Sequence, residues 1–197
     1  MPTSGSTREP RATTRPGASG VTTSAPVQVS GFDEQDAVAV EITRWVRLAQ
    51  LVLHEERIDP EAELGLIFVD EQTITDLNRR FLDGDGPTDV LAFPLDEGGT
   101  TAGRDPDDGG RGPGAAAEPS EPPVVLGDVV VCPTVAARQA DTRGGPLDDE
   151  LALLVVHGVL HLLEYDHAEP GDAERMQRRE RELLGRFADL EGTGGAR

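Results

Sequence analysis

The chain has no lysine. All eighteen of its cationic residues are arginine, set against thirty-seven Asp and Glu, for a formal net charge of −19. The field of the whole chain therefore opposes non-specific attraction to a polyanion. The imbalance is uneven: residues 1–31 carry three Arg and one Glu, whereas residues 124–197 carry eight Arg and fourteen acids. A local Arg-lined groove is disfavoured by this balance but not excluded. There is one cysteine, Cys132, so an intramolecular disulfide and a Cys-based zinc knuckle are both ruled out. In VVVCP it reads as a small buried strand residue rather than a nucleophile. Aromatic residues make up 4% of the chain, so the core must be built from Leu, Val, Ala and Ile. No apolar run approaches the roughly 20 residues that span a bilayer. MPTSGSTREPRATTRPGASG contains Arg but no hydrophobic segment, so it does not read as a secretory signal, and a cytoplasmic protein is expected.

The chain's 197 residues suit one domain plus tails. Residues 1–26 are rich in Pro, Gly, Ser and Thr, which predicts a disordered tail. A single domain is expected over 27–190, interrupted by a low-complexity, disordered insert at about 96–123 that loops out between two strands. A disordered tail is expected again over 191–197. Within the domain, VQVSG (27–31) reads as a short strand. A helix follows from Asp33, with acids at its start and apolar residues at 38, 42, 45, 46, 49, 52 and 53. On that pattern Trp45 belongs to the core, and His54 closes the helix in a structural role. ELGLIFVD (63–70) reads as a buried strand. DEQTITDLNRRFL (70–82) is a helix capped by Asp70 or Thr73, with Ile74, Leu77 and Phe81 as its apolar stripe. DVLAFPL (89–95) is a strand whose Pro94 suits an edge, and VVLGDVVVC (124–132) is a further strand. PTVAARQADTR (133–143) begins a helix with Pro in its first turn. LDDELALLVVHGVLHLLEYDH (147–167) is a helix apolar nearly all round from 151 to 163, hence central. Residues 170–190 form a last amphipathic helix. Its Arg175, Arg178, Arg179 and Arg181 alternate with Glu, which favours a salt-bridged solvated face over an RNA-contacting one.

Three of the four histidines fall within HGVLHLLEYDH: His157, His161 and His167. The first two are four apart and share a helix face; the third follows a helix end. Desolvating three imidazoles together is costly unless something pairs with them all. Three such ligands leave a metal one open position, and open positions mean chemistry. Sites of this kind take zinc, and also nickel, copper or iron. The spacing equals that of the long zinc-protease motif H-E-x-x-H-x-x-G-x-x-H. Here, however, Gly158 stands where the protease has its general-base Glu, so peptide hydrolysis loses its proton acceptor. Gly158 either leaves room above the metal for a bulky substrate or permits close helix packing. Glu164 replaces the turn Gly, and a positive φ there would cost roughly 1 kcal/mol. Asp166 either orients a ligand imidazole or caps the turn. Tyr165 packs that turn.

HGVLHLLEYDH closely resembles the H-G-x-L-H-L-x-G-Y-D-H signature of the YbeY family, metal-dependent endoribonucleases of bacteria. The resemblance continues through LGLIFVDEQTITDLNRRF, PTDVLAFPL, LGDVVVCPTVAARQA and LDDELALLVVHGVLHLL, over about 27–190. It implies an α+β, zincin-like fold: a small, mostly antiparallel four-stranded sheet packed with about five helices, the His-bearing helix central. It also implies one zinc per chain on His157, His161 and His167, and single-strand-specific cleavage of RNA in maturation of the 16S rRNA 3′ end and in ribosome quality control. The implied partners are ribosomal RNA, the small ribosomal subunit, one of its proteins and the Era GTPase. Two positions depart from the family: Leu82 stands where many members carry an Arg thought to touch RNA, and Ala92 replaces a Ser. Asp89 is a catalytic candidate beside Asp166, either orienting water or capping the PTD turn. A non-catalytic small-subunit assembly factor with a structural metal is the alternative. A metallopeptidase is the lesser one.

Overall fold

The computed structural model describes residues 27–95, 124–165 and 170–194. Their order is β1 (Gln28–Glu34), α1 (Ile42–Glu55), β2 (Glu63–Val69), α2 (Glu71–Leu82), β3 (Val90–Pro94), β4 (Val125–Val131), α3 (Pro133–Arg143), α4 (Leu147–Leu162) and α5 (Pro170–Gly194). The expected 1–26 tail, the 96–123 insert, and residues 166–169 and 195–197 lie outside the described residues. No helix among the described residues is long and apolar enough to cross a membrane.

The four strands lie in the order β1-β2-β4-β3. β1 pairs parallel with β2, β2 parallel with β4, and only β3 antiparallel with β4. The expectation of a mostly antiparallel sheet is therefore wrong. The reason is connectivity. α1 carries the chain back so that β2 runs with β1, and α2 leads into β3, which runs against β2; β4, antiparallel to β3, therefore runs with β2 again. Pro94 lies on an edge strand, as read, opposite Gly127.

Two-residue alternation sends β2 to both faces. Leu64, Leu66 and Phe68 join Val129 and Val131 in the main core with Trp45, Leu48, Val52 and the buried face of α4. Val69 and Ile67 turn the other way, toward Ile74, Leu91, Val130 and Cys132. Trp45 and Cys132 are buried, as expected. Phe81 is not: it is 53% exposed, its ring edge-on to Phe93 at 5.2 Å. The stripe of α2 turns away from the sheet before its last turn. Asp70 caps α2 by accepting from Thr73 N–H at 2.7 Å, and that bond holds its carboxyl below the usual range.

α1 starts at Ile42, nine residues after Asp33. The predicted acidic first turn is absent because Asp33 and Glu34 extend β1, paired with Phe68 and Val69. The chain then turns through Gln35, whose side chain accepts from Val38 N–H at 2.9 Å and donates to Val38 O at 2.8 Å. At the other end of the chain, α5 continues to Gly194, past the boundary expected at 190.

α4 packs on α1, α3, α5, β3 and β4, which is why its sequence is apolar on every side. Its end is a left-handed cap. Glu164 sits at φ 63, Glu164 N–H donates to His161 O at 3.1 Å, and Tyr165 N–H donates to Leu160 O at 3.0 Å. A Cβ in this conformation is strained. Glu164→Gly is expected to raise unfolding stability by about 1 kcal/mol, measured as an increased midpoint in urea with unchanged slope.

Candidate active site

His157 and His161 lie one turn apart on α4, and their rings meet edge to face with centroids 4.5 Å apart. The two Nε2 atoms are 3.0 Å apart. Two nitrogens that share a cation at about 2.0–2.1 Å in tetrahedral geometry stand about 3.3 Å apart. The separation of the pair is thus close to that of two ligands on one transition metal.

What presents the His157 nitrogen comes from α5. Glu180 Oε1 lies 2.8 Å from His157 Nδ1. An ionised carboxylate only accepts, so Nδ1 carries the proton and Nε2 keeps its lone pair. Sequence reading missed Glu180, although the pattern contained it. Met176, Glu180, Leu183 and Phe187 fall on one face of α5 and are all buried, so Glu180 is a charge inside an apolar stripe. The register of α5 is held one residue earlier. Arg179 Nε donates to Glu56 Oε1 at 2.6 Å, and Arg179 Nη2 to Glu55 O at 3.2 Å. The Tyr165 hydroxyl donates to Glu56 Oε2 at 2.9 Å. Burial and the Glu56 carboxylate push the Tyr165 phenol above its ordinary range. Arg175 pairs with Asp172. For Arg175 and Arg179, then, the structure favours the salt-bridged reading of the α5 arginines.

Two adjoining cavities meet at His157. One, of about 470 Å³, is lined by Leu82, Ala92, Gly158 and His161 among others; the second, of about 360 Å³, by Arg143, Glu150, Gln177 and Glu180 among others. Asp89 and Val90 border both. The Asp89 carboxylate is already occupied. Oδ1 accepts from Thr88 Oγ1–H at 3.1 Å and Val90 N–H at 2.8 Å, and Oδ2 accepts from Gln139 Nε2–H at 3.0 Å. These bonds make it a turn cap that also fastens α3 to the start of β3. At Gly158 the structure chooses between the two readings. A Cβ there would lie 2.5 Å from Val129 Cγ1 and 3.1 Å from Val90 Cγ2, so the missing side chain serves close packing of α4 on the sheet. His167 and Asp166 lie outside the described residues. His54 closes α1, exposed in its last turn.

A central helix with two convergent imidazoles, set under the edge of a four-stranded sheet, defines the class as a small α+β protein with a histidine-floored cleft. A family model described as Endoribonuclease YbeY matches residues 31–188. Proteins named Endoribonuclease YbeY from Thermobifida fusca and Beutenbergia cavernae are each 45% identical over 150 residues, covering 76% of this chain and 88% and 91% of theirs. One from Salinispora tropica is 47% identical over 137 residues, covering 70% of this chain and 82% of its own. The chain belongs to the YbeY endoribonuclease family.

Proposed function

We propose that the protein is a zinc-dependent endoribonuclease that cleaves single-stranded RNA, acting on the 3′ end of 16S rRNA during maturation and in ribosome quality control. The observation that carries this reading is the convergence of the His157 and His161 Nε2 atoms at 3.0 Å at the junction of two cavities, in a chain of this family. One zinc per chain would be held by His157, His161 and His167. Bound there, it would supply Lewis acidity to a phosphoryl oxygen and lower the pKa of a water. The protein's own part is positional. Glu180 fixes the His157 tautomer, and Asp89 holds the start of β3 against α3, fixing one wall of the cleft. Asp166 remains a candidate for orienting a ligand. The small ribosomal subunit, one of its proteins and the Era GTPase are the proposed partners, and the cytoplasm the proposed location.

The test is cleavage of a 3′-extended 16S rRNA fragment by protein of defined metal content, beside the His157→Ala variant. Equal cleavage by the two would overturn the reading. A further expectation concerns Glu180. Glu180→Gln keeps shape and hydrogen-bonding capacity but removes the charge on the His157 proton. It is expected to weaken metal affinity about ten- to a hundredfold, read by competition with a chromogenic chelator.

A further inference from the structure

A phosphodiester strand that reaches His157 must be held locally, because a net charge of −19 gives no long-range attraction. The cleft itself adds to the difficulty. The cavity beside His157 presents the carboxyl groups of Asp89, Glu150 and Glu180. Among the described residues lining the two cavities, Arg143 is the single arginine.

Arg143 is placed for a task. It is the last residue of α3, where Gly144 turns left-handed at φ 70 and closes the helix. Its Nη1 donates to both carboxylate oxygens of Glu150, whose side chain is 6% exposed while that of Arg143 is 57% exposed. The guanidinium is thus anchored from beneath by a buried carboxylate and open above. Its Nε–H and Nη2–H groups take no protein acceptor among the described residues. A planar fork with free donors and a fixed orientation matches a phosphate oxygen pair. Glu150 and His157 lie seven residues apart on α4, two turns along one face, or about 11 Å. That spacing puts Arg143 on a neighbouring phosphate rather than on the scissile one.

We propose that Arg143, held by Glu150, is the phosphate clamp of the cleft and grips the backbone of single-stranded RNA beside the cleaved bond. This rests on the RNA-cleaving reading above and assigns the gripping cation within it. Phosphate contacts of this kind fix register without reading sequence, so the clamp positions the strand and does not select it.

The experiment measures binding of a non-cleavable 2′-O-methyl oligonucleotide to the metal-loaded full chain by fluorescence anisotropy across a KCl series. The Arg143→Gln/Glu150→Gln double variant removes both charges together, so the net charge is unchanged and no buried carboxylate is left alone. It is expected to bind about tenfold more weakly at low salt and to shorten the log–log salt slope by about 0.7. Glu150→Gln alone keeps an amide oxygen that accepts from Arg143 Nη1, so the guanidinium stays anchored while its neutralising charge is gone, and it is expected to bind at least as tightly as the parent. Affinity and slope unchanged in the folded double variant would overturn the clamp. So would Glu150→Gln falling to the level of the double variant, since the pair would then be only structural. A parent protein that neither binds nor cleaves RNA would instead bring down the functional reading itself, and the clamp with it.

Discussion

His157→Ala is expected to lose near-stoichiometric metal and to cut RNA more slowly by on the order of a thousandfold. The alanine removes one of two ring nitrogens that converge at 3.0 Å. It also removes the only partner that the Glu180 carboxylate has among the described residues. Glu180 is buried, so its stranded carboxylate should lower stability by about 2 kcal/mol. A drop in activity with a drop in melting temperature would leave two explanations, and His161→Ala separates them. It leaves the Glu180–His157 hydrogen bond intact, so it should retain most of the stability while losing metal and cleavage to the same extent. Metal content by atomic spectroscopy, thermal unfolding and cleavage of the same RNA fragment are the three measurements. Full cleavage by a folded His161→Ala protein would end the view that the imidazole pair does the chemistry.

Gly158→Glu is expected to unfold the domain rather than make a peptidase. The substitution restores the carboxylate that the zinc-protease motif places beside the first histidine, so on sequence grounds it looks like a gain of function. The fold forbids it. The Cβ alone would stand 2.5 Å from Val129 Cγ1, and Val129 is fully buried in β4, with no flexible end to swing aside. Overpacking of this kind costs about 1–3 kcal/mol, and a carboxylate forced between α4 and the sheet costs several more unless it is paired. The sum is comparable to the whole stability of an ordinary domain. Gly158→Ala carries only the first cost and should remain folded with a lowered urea midpoint. A folded Gly158→Glu protein with casein-cleaving activity would show this packing argument to be wrong.

Much of the architecture could be read locally. The stripe of α1 around Trp45, the Asp70 cap of α2, the Pro133 start of α3 and the all-round apolarity of α4 each obey a rule that spans a few residues. The strained turn at Glu164 could be read too, because Glu stands there in place of the motif's turn Gly, the residue that takes a positive φ without strain. The misses share a cause. Whether β2 runs with or against its neighbours depends on where intervening helices pack, and no window of sequence contains that. Phe81 obeys the period of α2 but falls beyond the sheet that would cover it. Asp33 and Glu34 suit a helix start by charge, yet β2 offers them pairing partners thirty-five residues away.

The candidate site divides along the same line. The sequence by itself determined the paired histidines of α4, because a four-residue interval on a helix stacks two side chains whatever surrounds them; the family resemblance came instead from the whole HGVLHLLEYDH string and the segments that match with it. Only the tertiary structure decided what stands around them: Glu180 on the His157 ring, Arg143 over Glu150 in the cleft wall, and Gly158 pressed on Val129. Each of these contacts joins separate elements, and their distances are set by how the helices and the sheet pack together, which no spacing along the chain records.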